Sequence, residues 1–317
     1  MLHKSFAYAL IASMVITVTA SASPFDPLEL MREYTTITLG DATINDPETP
    51  GTVFVGGTLT APNTFVINGN GGGGAVFDAA LVVGGDTLGR ITMQNGNVLH
   101  QGVFPTPPDF NNNGGGSVTQ GFVDVAGVAQ TLNDFSEKLA GLADNGVTAP
   151  AQSSQNGFFT VSGGSAPAVL NITDMFLMGL GNPGFQFVGA PVATIINVSG
   201  TSITIPSGFN FNKPNGSENI LFNFFEATTV SIDSPFGASI LAPKAFVSAG
   251  TGAGRIQGNL VSAGLSQSVE IDGPRFDPPP FEIPHPIPVP GAAVLMASGL
   301  MSMAGVRRYR FRVRASG

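Results

Sequence analysis

The sequence predicts a mainly β protein, a β-solenoid with one amphipathic helix packed alongside it. The 317 residues contain 42 Gly and 24 Pro, and only 11% are charged, which favours turn-rich β structure. Two segments, VFVGGTL and LVVGGDTL, are near-copies of each other. With 43% apolar residues and 24 Phe, the chain can bury a sizeable core.

Short apolar strands punctuated by Gly and Asn fill the middle of the chain. The Gly pairs Gly56-Gly57 and Gly84-Gly85 interrupt the two near-copies, and glycine permits a sharp corner there. Strand-corner-strand units about 20 to 30 residues apart are typical of a solenoid. The predicted strands are 52–60, 80–88, 193–205, 220–225 and 238–242, and the spacing persists through 239–270.

One segment has a helical rather than a strand pattern. Its apolar residues recur at spacings of four, three, four and three, which forms one face of a helix. They are Val128, Leu132, Phe135, Leu139 and Leu142. Asp124 can cap the start, Asn145-Gly146 ends the segment and Pro150 stops it, so we predict a helix from about 125 to 145 on a flank of the solenoid.

The N-terminus has the features of a secretory signal peptide over residues 1–22. Lys4 precedes an apolar run, and Ala20-Ser21-Ala22 forms an A-x-A cleavage site before Ser23. An N-terminal membrane anchor is the alternative, but it requires roughly 20 apolar residues and a different flank. Export is therefore the first prediction about location.

The C-terminus combines a proline spacer, an uncharged span and a basic end. Residues 278–288 are rich in Pro and predict an extended spacer. The 18 residues Val289–Val306 carry no charge and would reach roughly 27 Å as a helix, enough for a bilayer core. Arg307 and Arg308 begin a basic end that should stay in the cytoplasm, which puts the body of the protein outside.

This three-part end resembles the PEP-CTERM sorting signals, in their V-P-x-P-A variant. The box is matched by Val289, Pro290, Gly291 and Ala292, although Gly291 replaces the usual Ala and no aromatic residue follows. The resemblance implies an exosortase-type processing enzyme as partner, removal of the tail near the box, and only transient anchoring in the inner membrane. A single-span anchor that is never cleaved is the alternative.

The mature chain is strongly acidic. Five Arg in the last eleven residues and Lys4 belong to the ends, and without these six of 13 basic residues, 7 remain against 21 acidic ones, a net charge of −14. Such a domain would repel nucleic acid and anionic lipid, so neither is an expected partner. With no Cys, disulfides and thiolate chemistry are excluded.

The mature domain, residues 23–277, resembles the choice-of-anchor A family over about 35 to 272. The resemblance lies in Leu39-Gly40-Asp41 with Val53–Thr60, in the Leu-rich helix, and above all in SILAPKAFVSAGTGAGRIQGNLVSAGL near the end. It implies a right-handed β-helix with a helix alongside, similar to ice-binding-like adhesive domains. It also implies an adhesive or matrix role, and it carries over no catalytic residues.

The residue types for catalysis are scarce. Only His100 lies in the predicted domain, so a Ser-His-Asp triad or a His metal site is not expected, and we expect His100 in a loop or at the surface. Glu270 and Asp272 share a strand face, which leaves a polysaccharide-degrading enzyme as an alternative. We predict no enzymatic activity, no cofactor and no bound metal.

Phosphate binding, calcium binding and ice binding are three further possibilities that the sequence does not favour. The Gly-rich runs 69–74, 111–116 and 250–255 lack the strand-loop-helix context of a phosphate site and predict surface loops. Calcium at Asp41, Asp46 or Asp86 would need a regular acidic loop, which is missing. A flat ice-binding face needs threonines stacked in register about 4.8 Å apart, whereas Thr36-Ile37-Thr38, Thr58-Leu59-Thr60 and Ser202-Ile203-Thr204 are scattered pairs, so no such ladder is expected.

The predicted product is a one-domain extracellular protein that binds through faces and loops rather than through a pocket. The partners suited to a long repetitive surface are extracellular polysaccharide or surface proteins. The four predicted segments are 1–22 as signal peptide, 23–277 as domain, 278–288 as spacer and 289–317 as sorting signal. The Asn-x-Ser/Thr sequences at Asn171, Asn197 and Asn215 are treated as chance.

Overall fold

A computed structural model describes residues 24–281, apart from 47, 69–75, 107, 111–114, 153–155, 208, 210 and 212–218. The described residues up to Pro279 belong to one compact unit. The predicted signal peptide with Ala20, Ala22 and Ser23 lies outside the described residues. So does the C-terminal signal with Val289, Pro290, Gly291, Ala292, Arg307 and Arg308, as does the Gly run 69–74.

The described chain is mainly β, with 46% strand and 14% helix. The helices are α1 Pro27–Glu33, α2 Val125–Ala140 and α3 Asp174–Met178. The strands before α2 are β1 Thr36–Thr38, β2 Ala42–Ile44, β3 Glu48–Pro50, β4 Val53–Val55, β5 Leu59–Asn68, β6 Leu81–Val83, β7 Thr87–Met93, β8 Val98–His100, β9 Asp109–Phe110 and β10 Val118–Gln120. The strands after α2 are β11 Val147–Thr148, β12 Phe158–Gly164, β13 Ala168–Thr173, β14 Gly184–Pro191, β15 Thr194–Ser199, β16 Ser202–Ile205, β17 Ile220–Asn223, β18 Thr229–Ile232, β19 Ser239–Ala249, β20 Arg255–Gln257, β21 Leu260–Gln267 and β22 Glu270–Asp272.

Most strands belong to one curled parallel sheet. Ten of them form a continuous row along one side, in the spatial order β10, β8, β6, β4, β1, β21, β19, β17, β15 and β13. A second side carries β7, β5, β2, β21, β19, β18 and β16. The strands β5, β7, β19 and β21 are long enough to turn from one side to the next.

The order of strands in space differs from their order in the chain. The first strand, β1, lies in the middle of the row, where Ile37 pairs with Phe54 on one side and with Val261 on the other. From there the chain builds outward to β10, and after α2 it restarts at β13 and builds inward to β21. The first and last thirds of the sequence therefore meet at the centre of the molecule.

Glycine forms the corners, as the sequence predicts. Gly56-Gly57 lies between β4 and β5, and Gly84-Gly85 lies between β6 and β7. A Cβ built on Gly85 would lie 2.6 Å from the carbonyl carbon of Gly57 in the neighbouring corner. Corners stack this closely only because no side chain stands between them.

Helix α2 confirms the predicted amphipathic helix and corrects its end. The carboxylate of Asp124 accepts a hydrogen bond from the Gly127 amide at 2.9 Å, so the predicted cap is confirmed. The helix ends at Ala140 rather than near 145. Asn145 instead exchanges backbone hydrogen bonds with Val169 of β13, at 2.8 and 2.5 Å, and so covers the edge of the row.

Three stacked asparagines fasten α2 to the sheet. Asn171, Asn197 and Asn223 are in register on β13, β15 and β17; Asn223 Nδ2 donates to Asn197 Oδ1, and Asn197 Nδ2 donates to Asn171 Oδ1, each at 2.9 Å. Their Nδ2 groups also donate to backbone carbonyls three residues apart, those of Ser136 at 2.9 Å and Leu139 at 2.8 Å within α2, and that of Leu142 at 3.0 Å just after it.

The dimensions of helix and sheet explain this match. Three helical residues rise about 4.5 Å, and neighbouring strands lie about 4.8 Å apart. Consecutive strands therefore meet consecutive turns of the helix, and the predicted packing of the helix on a flank of the sheet is confirmed.

Phenylalanine dominates the core of the second half. Phe209, Phe211, Phe222 and Phe236 are fully buried, and their ring centroids lie 5.0 to 6.2 Å apart in the contacting pairs. Edge and tilted arrangements prevail, as aromatic side chains prefer. In the first half Val and Leu occupy the inward positions of β4 and β6.

Candidate functional site: a face of stacked hydroxyl groups

On β16, β18, β19, β21, β2 and β5 of the second side, buried apolar positions alternate with outward positions. On β7 the pattern is reversed, since Thr87 is buried and Leu88, next to Thr60, is 50% exposed. The inward residues are at most 2% exposed, and they are Ile203, Val230, Val247, Leu265, Ala42 and Leu59. Because successive strand residues point to opposite faces, the residue after each of these points to solvent. Those outward residues define what we call the hydroxyl row: Thr204, Ser231, Ser248, Ser266, Thr43 and Thr60.

The hydroxyl row is in register over six neighbouring strands. Thr204 pairs with Ser231 and Ser231 with Ser248; the row continues through Ser266, Thr43 and Thr60. At about 4.8 Å per strand, the six residues span about 24 Å. The row is not a threonine ladder, since three of its six members are serine. The expectation that the pairs are scattered is wrong, because strands distant in sequence, such as β2 and β21, are neighbours in the sheet.

The residue two positions before each member forms a second outward row. In the described chain it contains Ser202, Thr229, Phe246, Gly264, Asp41 and Thr58, and Asp86, two residues before the exposed Leu88, extends it onto β7. The Thr229 hydroxyl donates to Ser202 Oγ at 3.1 Å. We call the two rows together the hydroxyl face.

Phe246 is the large apolar residue of the hydroxyl face. Its side chain is 49% exposed, although most phenylalanines of the described chain are buried or partly buried. The ring lies against Gly264 of the neighbouring strand, since a Cβ built there would lie 2.8 Å from Phe246 Cδ2. Gly264 thus leaves room for one edge of the ring, and about half of the Phe246 side chain is open to solvent.

The aspartates considered for calcium serve the backbone instead. Asp41 Oδ1 accepts a hydrogen bond from the Thr58 amide at 2.7 Å, and Asp86 Oδ1 accepts one from the Val103 amide at 2.7 Å. Asp46 Oδ1 accepts from the Glu48 amide at 2.8 Å. Each of the first two carboxylates joins one corner to the corner of the next strand.

The candidate catalytic groups are held in structural contacts. Glu270 and Asp272 do share a strand face, as predicted, and both pair with Arg255, whose Nη1 lies 3.0 Å from Asp272 Oδ2. His100 corrects the prediction of a loop or surface position, because it ends β8 and is half-buried. Its ring stacks on Phe104 at 5.3 Å, and Nδ1 lies 2.8 Å from the Gly102 carbonyl.

The C-terminal end of the domain is clamped to α1 at the centre of the row. Asn259 donates to the Met31 carbonyl at 2.8 Å and to the Tyr34 carbonyl at 2.6 Å, and its Oδ1 accepts from the Phe276 amide. Arg275 Nη1 donates to the Arg32 carbonyl at 2.6 Å. Burial raises the pKa of Tyr34 above its usual range and lowers that of Arg275.

The described residues also bear on metal binding, membrane spanning and the Asn-x-Ser/Thr sequences. Among the described residues, no group of three or more His, Cys, Asp or Glu is placed to hold a metal ion. In that same part of the chain, no helix is both long and apolar enough to cross a membrane. Asn171 and Asn197 lie in the asparagine stack, so these sequons are structural; Asn215 lies outside the described residues.

Sequence reasoning missed Thr43, Ser231, Ser248, Ser266 and Phe246 as surface residues of one site. The signal was the recurring triplet of outward, buried and hydroxyl residue, seen in TVS, FVS, GLS and DAT as well as in SIT and TLT. The triplets are unequally spaced in the chain, so only the strand pairing reveals them as one row.

Fold and face together define a class of protein, the repetitive parallel β proteins with an extended outer face. Within that class the chain belongs to the family described as Putative Ice-binding-like adhesive domain, whose model matches residues 27–273. This agrees with the adhesive character implied by the sequence resemblance. A search of curated proteins and a search of solved structures found no match.

Proposed function

We propose that the protein is a secreted cell-surface or exopolysaccharide-matrix protein with an adhesive and structural role. The observation that carries the proposal is the hydroxyl face, six hydroxyl residues in register along one flat side of the sheet. A row of this length suits many weak contacts with a repetitive partner, either polysaccharide or a surface protein. Membership of an adhesive domain family supports the same role.

The fold proposed for this role is a right-handed β-helix with α2 packed alongside. The all-parallel pairing of the ten-strand row and the turning of β5, β7, β19 and β21 between sides support it. Right-handed connections between parallel strands are also the strong general preference. The choice-of-anchor A identity belongs to the same proposal.

Export and processing are proposed from the two ends of the chain. The signal peptide at 1–22 would direct export, and the tail at 289–317 would anchor the chain in the inner membrane until an exosortase-type enzyme removes it. Mass spectrometry of the mature protein from its native host tests both cleavages. An intact tail on the mature protein would contradict the sorting proposal and leave the adhesive proposal standing.

Deletion of the gene tests adhesion directly. We expect biofilm cohesion and surface attachment to fall, and complementation with the full gene to restore them. Unchanged cohesion and attachment in the deletion strain would contradict the adhesive role.

We propose that the protein has no enzymatic activity, no cofactor and no nucleic-acid partner. Glu270 and Asp272, the two carboxylates that could serve glycan hydrolysis, both form ion pairs with Arg255. Incubation of the protein with extracellular glycans should release neither new reducing ends nor unsaturated products. Such products would instead support a polysaccharide-degrading enzyme.

Ice binding is the second candidate, because the hydroxyl row meets the register requirement that the sequence did not reveal. The row differs from a uniform threonine surface, since three of its six members are serine and Phe246 projects beside it. Thermal hysteresis and inhibition of ice recrystallisation by the purified protein would support this candidate. Their absence would leave the adhesive proposal alone.

A further inference from the structure

We infer that the hydroxyl face binds uncharged polysaccharide, with the Phe246 ring as the platform on which a sugar ring stacks. The inference rests on the proposed adhesive function and names the ligand class and its central residue. Three observations carry it: the open aromatic ring, the hydroxyl row beside it, and the arrangement of charge on the face.

The strand pairing around Phe246 does not require an exposed aromatic side chain at this position. The outward position before it along the sheet is Thr229 and the one after it is Gly264. A phenylalanine left half-exposed forgoes part of the hydrophobic stabilisation that burial would give. A half-exposed ring with polar neighbours presents an apolar surface that fits the C–H face of a pyranose.

The hydroxyl row supplies the polar half of such a site. Each Ser or Thr hydroxyl can both donate and accept a hydrogen bond, as each sugar hydroxyl can. Ser248 lies two residues after Phe246 on the same strand, and Ser231 and Ser266 flank it on the neighbouring strands. A glycan chain lying across the strands would therefore meet the ring in one outward row and the hydroxyl groups of Ser231, Ser248 and Ser266 in the row beside it.

Charge decides between neutral and anionic glycans. The two outward rows carry no basic residue; their charged members, Asp41 and Asp86, each use one oxygen to bind a neighbouring amide. The mature chain is also acidic overall, so a polyanionic glycan would be repelled from the face rather than held by it. Uncharged polysaccharide is the complementary partner.

The test is binding of the purified full-length chain to insoluble cellulose and chitin, with alginate as the anionic probe. Phe246→Ala should weaken binding by about fivefold to tenfold, the worth of one aromatic contact. The matched control is Phe158→Ala, because Phe158 is also exposed, at 57%, but lies on β12 away from the face. Ser248→Ala should weaken binding less than Phe246→Ala does, and Thr119→Ala on β10 should leave it unchanged.

Circular dichroism melting shows whether each variant keeps the fold. If Phe246→Ala melts early, Phe246→Leu replaces it, since leucine keeps the apolar contact with Gly264 but lacks a ring. Unchanged binding in the folded variant, an equal loss in Phe158→Ala, or preference for alginate would overturn the inference.

The two proposals fail separately. A deletion strain that loses adhesion, together with a protein that binds neither neutral glycan, would refute the inference and keep the adhesive role. A deletion strain without any defect would refute the adhesive role, whatever the purified protein binds.

Discussion

Replacement of Asn197 by alanine tests whether the asparagine stack holds α2 on the sheet. Asn197 is 1% exposed, and its side chain makes three hydrogen bonds, to the Leu139 carbonyl at 2.8 Å and to Asn171 and Asn223 at 2.9 Å. Each such bond contributes about 1 kcal/mol net, so Asn197→Ala should lower the free energy of unfolding by about 3 kcal/mol. The small cavity left behind adds to this loss.

Urea denaturation followed by circular dichroism measures the effect, with Asn182→Ala as the matched control. Asn182 is exposed and makes one long contact, 3.5 Å to Asn156, so its loss should change stability by less than about 0.5 kcal/mol. If Asn197→Ala and Asn182→Ala lowered stability equally, the stack would be incidental, and apolar packing alone would hold the helix.

Three more substitutions test other parts of the fold. Gly85→Ala should cost more than about 2 kcal/mol, because its Cβ would lie 2.6 Å from Gly57; Gly164→Ala, with nothing within 4 Å, is the control, and equal urea midpoints would refute close corner stacking. Asn259→Ala should cost about 3 kcal/mol in the same assay, since three hydrogen bonds are lost, and a loss below 1 would contradict the clamp. Burial raises the pKa of Tyr34, so the protonated side chain stabilises the fold fully below about pH 10, the ordinary pKa of tyrosine. Above that pH the free energy of unfolding falls by about 1.4 kcal/mol per pH unit. Alkaline denaturation of Tyr34→Phe should lack that slope, and an identical slope would assign it to another group.

Local features were predictable because local chemistry determines them. Gly56-Gly57 and Gly84-Gly85 lie at corners because only glycine tolerates the close approach of stacked turns. The apolar face of α2 follows from its period, and Asp124 caps the helix because its carboxylate satisfies a free amide of the first turn. These predictions required no knowledge of which strand pairs with which.

The features that the sequence did not predict depend on pairing between segments that are distant in the chain. The helix ends at Ala140 because Asn145 forms a bridge with Val169, a partner 24 residues away that its own sequence does not reveal. In the same way, Thr43 and Ser266 look unrelated in the sequence but are direct neighbours in the sheet. A parallel sheet in which the chain starts at the centre leaves no periodic signal for this arrangement.

The central position of β1 links the hydroxyl face to the closure of the fold. Thr43 and Thr60 come from the first third of the chain, while Thr204, Ser231, Ser248 and Ser266 come from the last part. The row is continuous only where β21 pairs with both β1 and β2, the same place at which Asn259 clamps α1. A partner that lay across this joint, as proposed above, would contact both halves, and its binding would stabilise the folded sheet by mass action. The proposal therefore predicts that binding at the hydroxyl face and pairing at this joint are energetically coupled.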